Sequence, residues 1–429
     1  MLPRSRKLSQ PLTRLLFAVG TIALASLWLA NLQRGSHDAA PVNQPVDEIR
    51  SSANEASFAG TTRCAECHAD KAADHATSGH SKTFHMVEDL SIPTQLDGRT
   101  YVDPIRQTSL KYEKEGDGLS VLIPEVFGKD RFPLQYALGS GMNAFTFLTL
   151  VPGPDGDAVG IEHRVSLFSE AGTNRTEVPG GALGLTPGQI NKPINEEIDH
   201  FGHIVSGKAL TDCVRCHTTT AEIRGGEVAN LIPNVGCESC HGPGGEHIAQ
   251  MKNNRLTGID ALHPSGRRLG KMFTESWSAK DEIKLCGQCH RLPEDVPAKR
   301  ISPYHPSTIR FQPVGILQSR CFLESENTLS CSVCHDPHLH SSARQTSAYE
   351  DRCRSCHSID QNQQGTNCPV SPTKNCIGCH MPAIEIHPGV FFHDHWIRIR
   401  DEKQAAPNSV KIVPANAAGH DGPTILVSE

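Results

Sequence analysis

Seven times in 429 residues the chain places two cysteines two residues apart and follows the second at once with histidine. The copies are Cys64-Cys67-His68, Cys213-Cys216-His217, Cys237-Cys240-His241, Cys286-Cys289-His290, Cys331-Cys334-His335, Cys353-Cys356-His357 and Cys376-Cys379-His380. Two thiols at this spacing can be joined by thioethers to both vinyl groups of one haem while the adjacent histidine takes the iron, so the motif is the attachment signal for c-type haem. Seven copies predict seven c-type haems. A chain that must wrap seven flat apolar bodies has little room to build an ordinary core around them.

Zinc is the competing chemistry, because paired Cys-x-x-Cys units separated by fifteen to twenty residues also have zinc-ribbon spacing. Three junctions fit it: Cys216 to Cys237, Cys334 to Cys353, and Cys356 to Cys376. The residue after each second cysteine decides between the two. Histidine occupies 23 of 429 positions, so finding it seven times out of seven by chance is on the order of one in a billion. A ribbon has no need of it.

Composition agrees, since only 37% of the residues are hydrophobic and 5% aromatic, which is poor for large protein-only cores. Porphyrins would make up the deficit. A net charge of -6 and a pI near 6.4 exclude a basic surface for nucleic acid.

The first 35 residues carry an address. Arg4, Arg6, Lys7 and Arg14 precede an uncharged apolar run over residues 15–33, an arrangement that leaves the positive end in the cytoplasm and exports the remainder of the chain. Ala23-Leu24-Ala25 offers a cleavage site, but the apolar run continues past it to a length at the lower limit for a membrane span. The expectation is therefore a signal anchor over 1–35 and a body on the periplasmic side of a bacterial envelope, or free in the periplasm if the run is cleaved. Its partners would be a redox partner protein or a quinol-linked membrane donor.

Residues 36–60 read as a polar linker, 61–95 as a first haem segment and 196–400 as a six-haem domain with short helices and loops. Between them, residues 96–195 hold no motif; alternating apolar runs broken by turns such as Gly116-Asp117-Gly118 predict a β-rich insertion of antiparallel hairpins. Residues 401–429 form a polar tail.

An iron that only passes electrons needs a second axial ligand, whereas one that does chemistry keeps a position open. Sixteen histidines lie outside the motifs, more than seven irons require, and methionines are few. His247 follows His241 across Gly-Pro-Gly-Gly, a turn that lets the chain leave one haem and reach another. His338 is too near His335 to cross the same haem. His203 lies shortly before Cys213, and His393 and His395 sit among aromatic residues that suit porphyrin packing. His80, His85, His305 and His387 complete the candidates. Cys321 and Cys368, the two cysteines outside motifs, would pair as a disulfide in an oxidising compartment.

Several of these segments carry a resemblance. Gly139-Ser140-Gly141, Cys237 to His247, Cys331 to His338, and Cys376 to Pro382 with Asp394-His395-Trp396 resemble the multihaem cytochromes c of the cytochrome c-552/c-554 type, relatives of pentahaem nitrite reductase and hydroxylamine oxidoreductase. The resemblance spans about Cys64 to Arg400. It implies a multihaem cytochrome c fold, mainly α with much loop and little regular structure around stacked haems, here with a small antiparallel β insertion added. It carries bis-histidine ligation onto His247, His338 and His395. No Cys-x-x-Cys-Lys motif is present, so the lysine-ligated haem of nitrite reductase has no counterpart.

The function expected is that of an exported heptahaem cytochrome carrying electrons through closely packed, mostly bis-histidine haems. The alternative is a multihaem oxidoreductase that turns over a small nitrogen or sulfur compound at one open iron. Catalytic residues are not identifiable from the sequence.

Overall fold

The computed structural model describes residues 58–400 apart from 154–156, 170–181, 253–277, 326–327, 358–367, 369, 372–373 and 388–389. Alternation of apolar and polar side chains organises the segment without motifs. Ser109–Glu115 buries Leu110 and Tyr112 and turns back on Gly118–Leu122. Gly116, with φ +61°, takes the first central position of this two-residue loop, where a type II′ turn requires positive φ. With Thr100–Val102 and Arg131–Leu134 on the flanks, these strands make a four-stranded antiparallel sheet.

A larger sheet lies beside it. Its main path runs Phe84–Met86, Tyr136–Leu138, Ala144–Pro152, Ala158–His163 and Gly202–Ser206, all antiparallel. Val165–Phe168 pairs with Ala144 and Phe145 and with Ala182–Leu185. The largest hydrophobic core forms here from alternating positions on these strands, among them Leu110, Tyr112, Val121, Phe147, Ile161 and Val165. A buried ion pair crosses it: Arg164 Nε donates to Asp103 Oδ2 at 2.6 Å, both side chains fully inaccessible. The helix Gly207–His217 lays Leu210 and Val214, one turn apart, against Phe84, Tyr136, Leu148 and Leu150 of this sheet.

Beyond Pro233 the α-helices are only four to twelve residues long, a length that has little stability unless something packs on it. The hydrophobic cluster found there is small, Tyr304, Ile309 and Ile384 with Ile386 and Phe392 against it.

The mainly α expectation is overturned. Helix makes up 39% of the described residues and strand 27%. Apolar residues concentrate at alternating positions over 84–206, and hairpins also form where motifs are close, at Thr218–Arg224 with Glu227–Pro233 and at Ala383–His387 with Val390–His393. The large sheet also takes a strand from either side of 96–195.

Membrane attachment is corrected as well. Among the described residues no helix is long and apolar enough to cross a membrane, and the run 15–33 lies outside the described residues, as does the tail 401–429.

Candidate haem-binding site

Four motifs lie wholly on helix, and in the other three the histidine follows the end of a helix. Cys237–His241 and Cys376–His380 are five-residue helices, while Cys213–His217 and Cys286–His290 end longer ones. Residues i, i+3 and i+4 share one helix face, so both sulfurs and the imidazole point the same way. That face is what one porphyrin needs.

Four motif histidines look across at a second imidazole. Ring centroids are 6.4 Å apart for His68 and His247, 6.1 Å for His290 and His80, 6.1 Å for His241 and His338, and 6.2 Å for His335 and His395. The ring planes differ by 18° to 78°. Two Fe–N bonds of about 2.0 Å, plus roughly 1.1 Å from each nitrogen to its ring centre, give about 6.2 Å, the span of an iron held between two imidazoles.

Backbone carbonyls and carboxylates select which ring nitrogen stays free, because a ligating histidine usually donates its other N–H to such a group. Nδ1 of His338 meets Asp336 Oδ1 at 3.1 Å, that of His395 meets the His393 carbonyl at 2.9 Å, and that of His217 meets the Thr83 carbonyl at 3.0 Å. His380 does the same with the Arg398 carbonyl, at 3.0 Å. Burial pushes His80 and His395 down to about 4, so both are neutral with a lone pair to offer at pH 7.

The other distal candidates are placed differently. His85 gives Nε2 to the Lys82 carbonyl at 2.9 Å, and His203 Nε2 lies 3.1 Å from Lys192 Nζ. His305 caps the helix Pro306–Arg310 by accepting the Ser307 amide on Nδ1. His393 binds the Met381 carbonyl through Nδ1 and is exposed. His387 ends a strand, and its side chain lies outside the described residues. Cys321 and Cys368 are free thiols.

Two carboxylates that looked like spacers in the sequence position the pairs. Glu238, inside Cys237-Cys240 and nearly inaccessible, accepts the amides of Ala59 and Gly60 at 2.8 Å and of Gly244 at 2.7 Å. It thereby ties the start of the first motif to the turn that leads to His247. Asp394, fully buried, accepts from Trp396 N at 2.9 Å and Arg398 Nη1 at 2.8 Å beside His395. Nothing in residue type alone marks them.

Thiols of different motifs meet. Cys64 lies close enough to Cys237, Cys216 to Cys289, and Cys286 to Cys331 for each thiol to act on the ionisation of the other. Cys240 lies close enough to Cys286, and Cys353 to both Cys334 and Cys376, for their charges to be felt. Among the described residues the group best placed to hold a metal ion directly is Glu282, Cys286 and Cys331, with ligand atoms within 4.8 Å of one another. It takes one cysteine from each of two motifs and omits both second cysteines, whereas a ribbon gathers all four. The donor set fits thioether-bound haem.

A family model described as Cytochrome c554 and c-prime matches residues 191–242, the stretch that holds the second and third motifs. Motif chemistry and match agree on a c-type cytochrome. No curated protein matches the chain. Among solved structures, the crystal structure of outer cell wall cytochrome OcwA is similar at 14% identity and a TM-score of 0.41, over 80% of each chain.

Proposed function

We propose that this cytochrome is an exported electron conductor with seven haems, most of them bis-histidine ligated. The observation that carries it is the spacing of 6.1 to 6.4 Å between four motif imidazoles and their counterparts. In this reading His247, His80, His338 and His395 are the distal ligands to the irons of the first, fourth, third and fifth motifs. Sulfur proximity supports a haem order of first, third, fourth, fifth, sixth and seventh, with the second branching from the fourth. Imidazole pairs favour the low-potential range and fast transfer without bond making. Export and an envelope location rest on the amino-terminal charge pattern and on the chemistry of covalent haem attachment. Low-temperature paramagnetic resonance with haem counting tests this: seven haems with mostly low-spin irons are expected, and mostly high-spin irons would sink it.

A second reading has its own observation. Among the described residues no imidazole is paired with His217 at this spacing; burial lowers its pKa, the Thr83 carbonyl opposes this, and Arg310 and His290 add to the lowering. An iron there would be open to a small compound at the end of the branch. One high-spin signal among otherwise low-spin irons is the expected signature, and its absence would remove this reading alone.

A further inference from the structure

After the seventh motif the chain doubles back through the hairpin Ala383–His387 with Val390–His393, so the segment that leaves it returns to the motif. Asp394 N donates to the Pro382 carbonyl at 3.1 Å, and His380 Nδ1 to the Arg398 carbonyl at 3.0 Å. The same segment carries His395, whose ring is 6.2 Å from that of His335. Its side chains alternate cation and ring. The guanidinium carbon of Arg398 lies 5.2 Å from the Trp396 ring centre and 5.0 Å from that of Tyr304, and Arg400 lies over Tyr304 at 5.1 Å. Both arginines reach one carboxylate: Arg398 Nη1 donates to Asp394 Oδ2 at 2.8 Å, and Arg400 Nη2 to the same oxygen. Two guanidiniums against one carboxylate leave one positive charge over, and all three side chains are almost wholly withdrawn from solvent. Among the described residues no acceptor meets Arg398 Nε and Nη2 or Arg400 Nε and Nη1, although these four nitrogens are inaccessible. Burying an uncompensated charge is costly, and ring faces offset only part of it. Such a charge beside an iron ligand disfavours the ferric haem, which carries one positive charge more than the ferrous one.

We propose that Arg398 and Arg400 raise the reduction potential of the haem carried by Cys376, Cys379 and His380, making this end of the series easier to reduce than its imidazole ligation alone provides. This rests on the function proposed above, in that His380 must hold a haem, and adds the residues that set the potential of that haem. The bland alternative is that both arginines only hold the segment in place.

The test is potentiometric titration of full-length protein with its haems counted, followed by visible absorption and low-temperature paramagnetic resonance. Arg400→Met removes one cation and leaves in place the carbonyl that holds His380. It is expected to lower the potential of one haem, changing its reduced-to-oxidised ratio at a fixed potential on the order of tenfold, about 59 mV for one electron. The shift should persist at high salt, because buried charges are screened little. Arg400→Lys keeps the charge and gives up the flat stack on Tyr304, and should stay near wild type. Asp394→Asn should move the same haem upward. Arginines that only positioned the segment would make Arg400→Met and Arg400→Lys respond alike. The haem held by His335 is told apart by His395→Ala, which turns that iron high-spin. Unchanged potentials in Arg400→Met, equal shifts in Arg400→Met and Arg400→Lys, or a shift confined to the His335 haem overturn the proposal. Should Arg400→Met lose haem, Arg398→Met decides in the same way, since the carbonyl that accepts from His380 belongs to the backbone. Wild-type peptides spanning 376–380 that carry no haem by mass instead defeat the reading beneath it.

Discussion

At the scale of single residues, the free nitrogen of each imidazole separates ligand candidates that the sequence leaves equal. His80 and His85 lie five residues apart in one segment, yet His85 spends Nε2 on the Lys82 carbonyl while His80 faces His290. No sequence rule could rank them, because the choice depends on where one carbonyl points. His247, by contrast, was legible from its Gly-Pro-Gly-Gly turn. Replacing His247 by Ala is expected to turn one iron high-spin while seven haems stay attached; His85→Ala should leave every iron as it was. Paramagnetic spectra of the pair check both. Glu238→Ala strips acceptors from three amides. At about 1 kcal/mol or more for each donor left unpaired away from water, a loss of roughly 2 to 4 kcal/mol is expected in urea unfolding.

At the scale of elements, close approach of backbone does what residue type cannot announce. Gly315 lies so near the segment after His393 that an added Cβ would sit 2.8 Å from Trp396 N and 2.9 Å from the His395 carbonyl carbon. Backbone atoms cannot yield as a side-chain tip does. Gly315→Ala is therefore expected to shift His395 away from His335 and change the spectrum of one iron, with the other low-spin signals intact. The hairpin around Gly116 was readable because its turn and its alternation coincide. The pair Thr218–Arg224 and Glu227–Pro233 was not: polar and apolar residues mix along it, most are half-buried, and its register is irregular, so no clean two-residue period appears. The fold is richer in strand than expected for that reason.

At the scale of the whole molecule, protein-only core and cofactor region obey different rules. The β-rich part is held by side chains and by the Asp103–Arg164 pair. Burial pushes Asp103 up, but hydrogen bonds from Arg164 and from the Arg106 and Ile105 amides outweigh it and hold the carboxyl below its ordinary value. A group depressed in this way stabilises fully above its unfolded pKa, and that share is lost as pH falls through the lower folded value. Arg164→Met leaves the buried carboxylate unpaired and should cost about 3 to 5 kcal/mol at neutral pH, with the deficit shrinking in acid once Asp103 is protonated; urea titrations across pH measure it. The region beyond Pro233 has short helices and a small cluster instead. Chain expressed without haem attachment should keep strand signal in circular dichroism and lose much of its helical signal.

The meeting of Cys64 with Cys237, Cys216 with Cys289 and Cys286 with Cys331 also bears on how the molecule is made. Neighbouring thiols in an oxidising compartment join to each other readily. A chain that reached this fold before acquiring its cofactors would be exposed to three wrong bridges, each tying two attachment sites together and blocking both. Biosynthesis must therefore run in one direction, with thiols kept reduced and thioethers formed on an open chain before the sheets and short helices close around them.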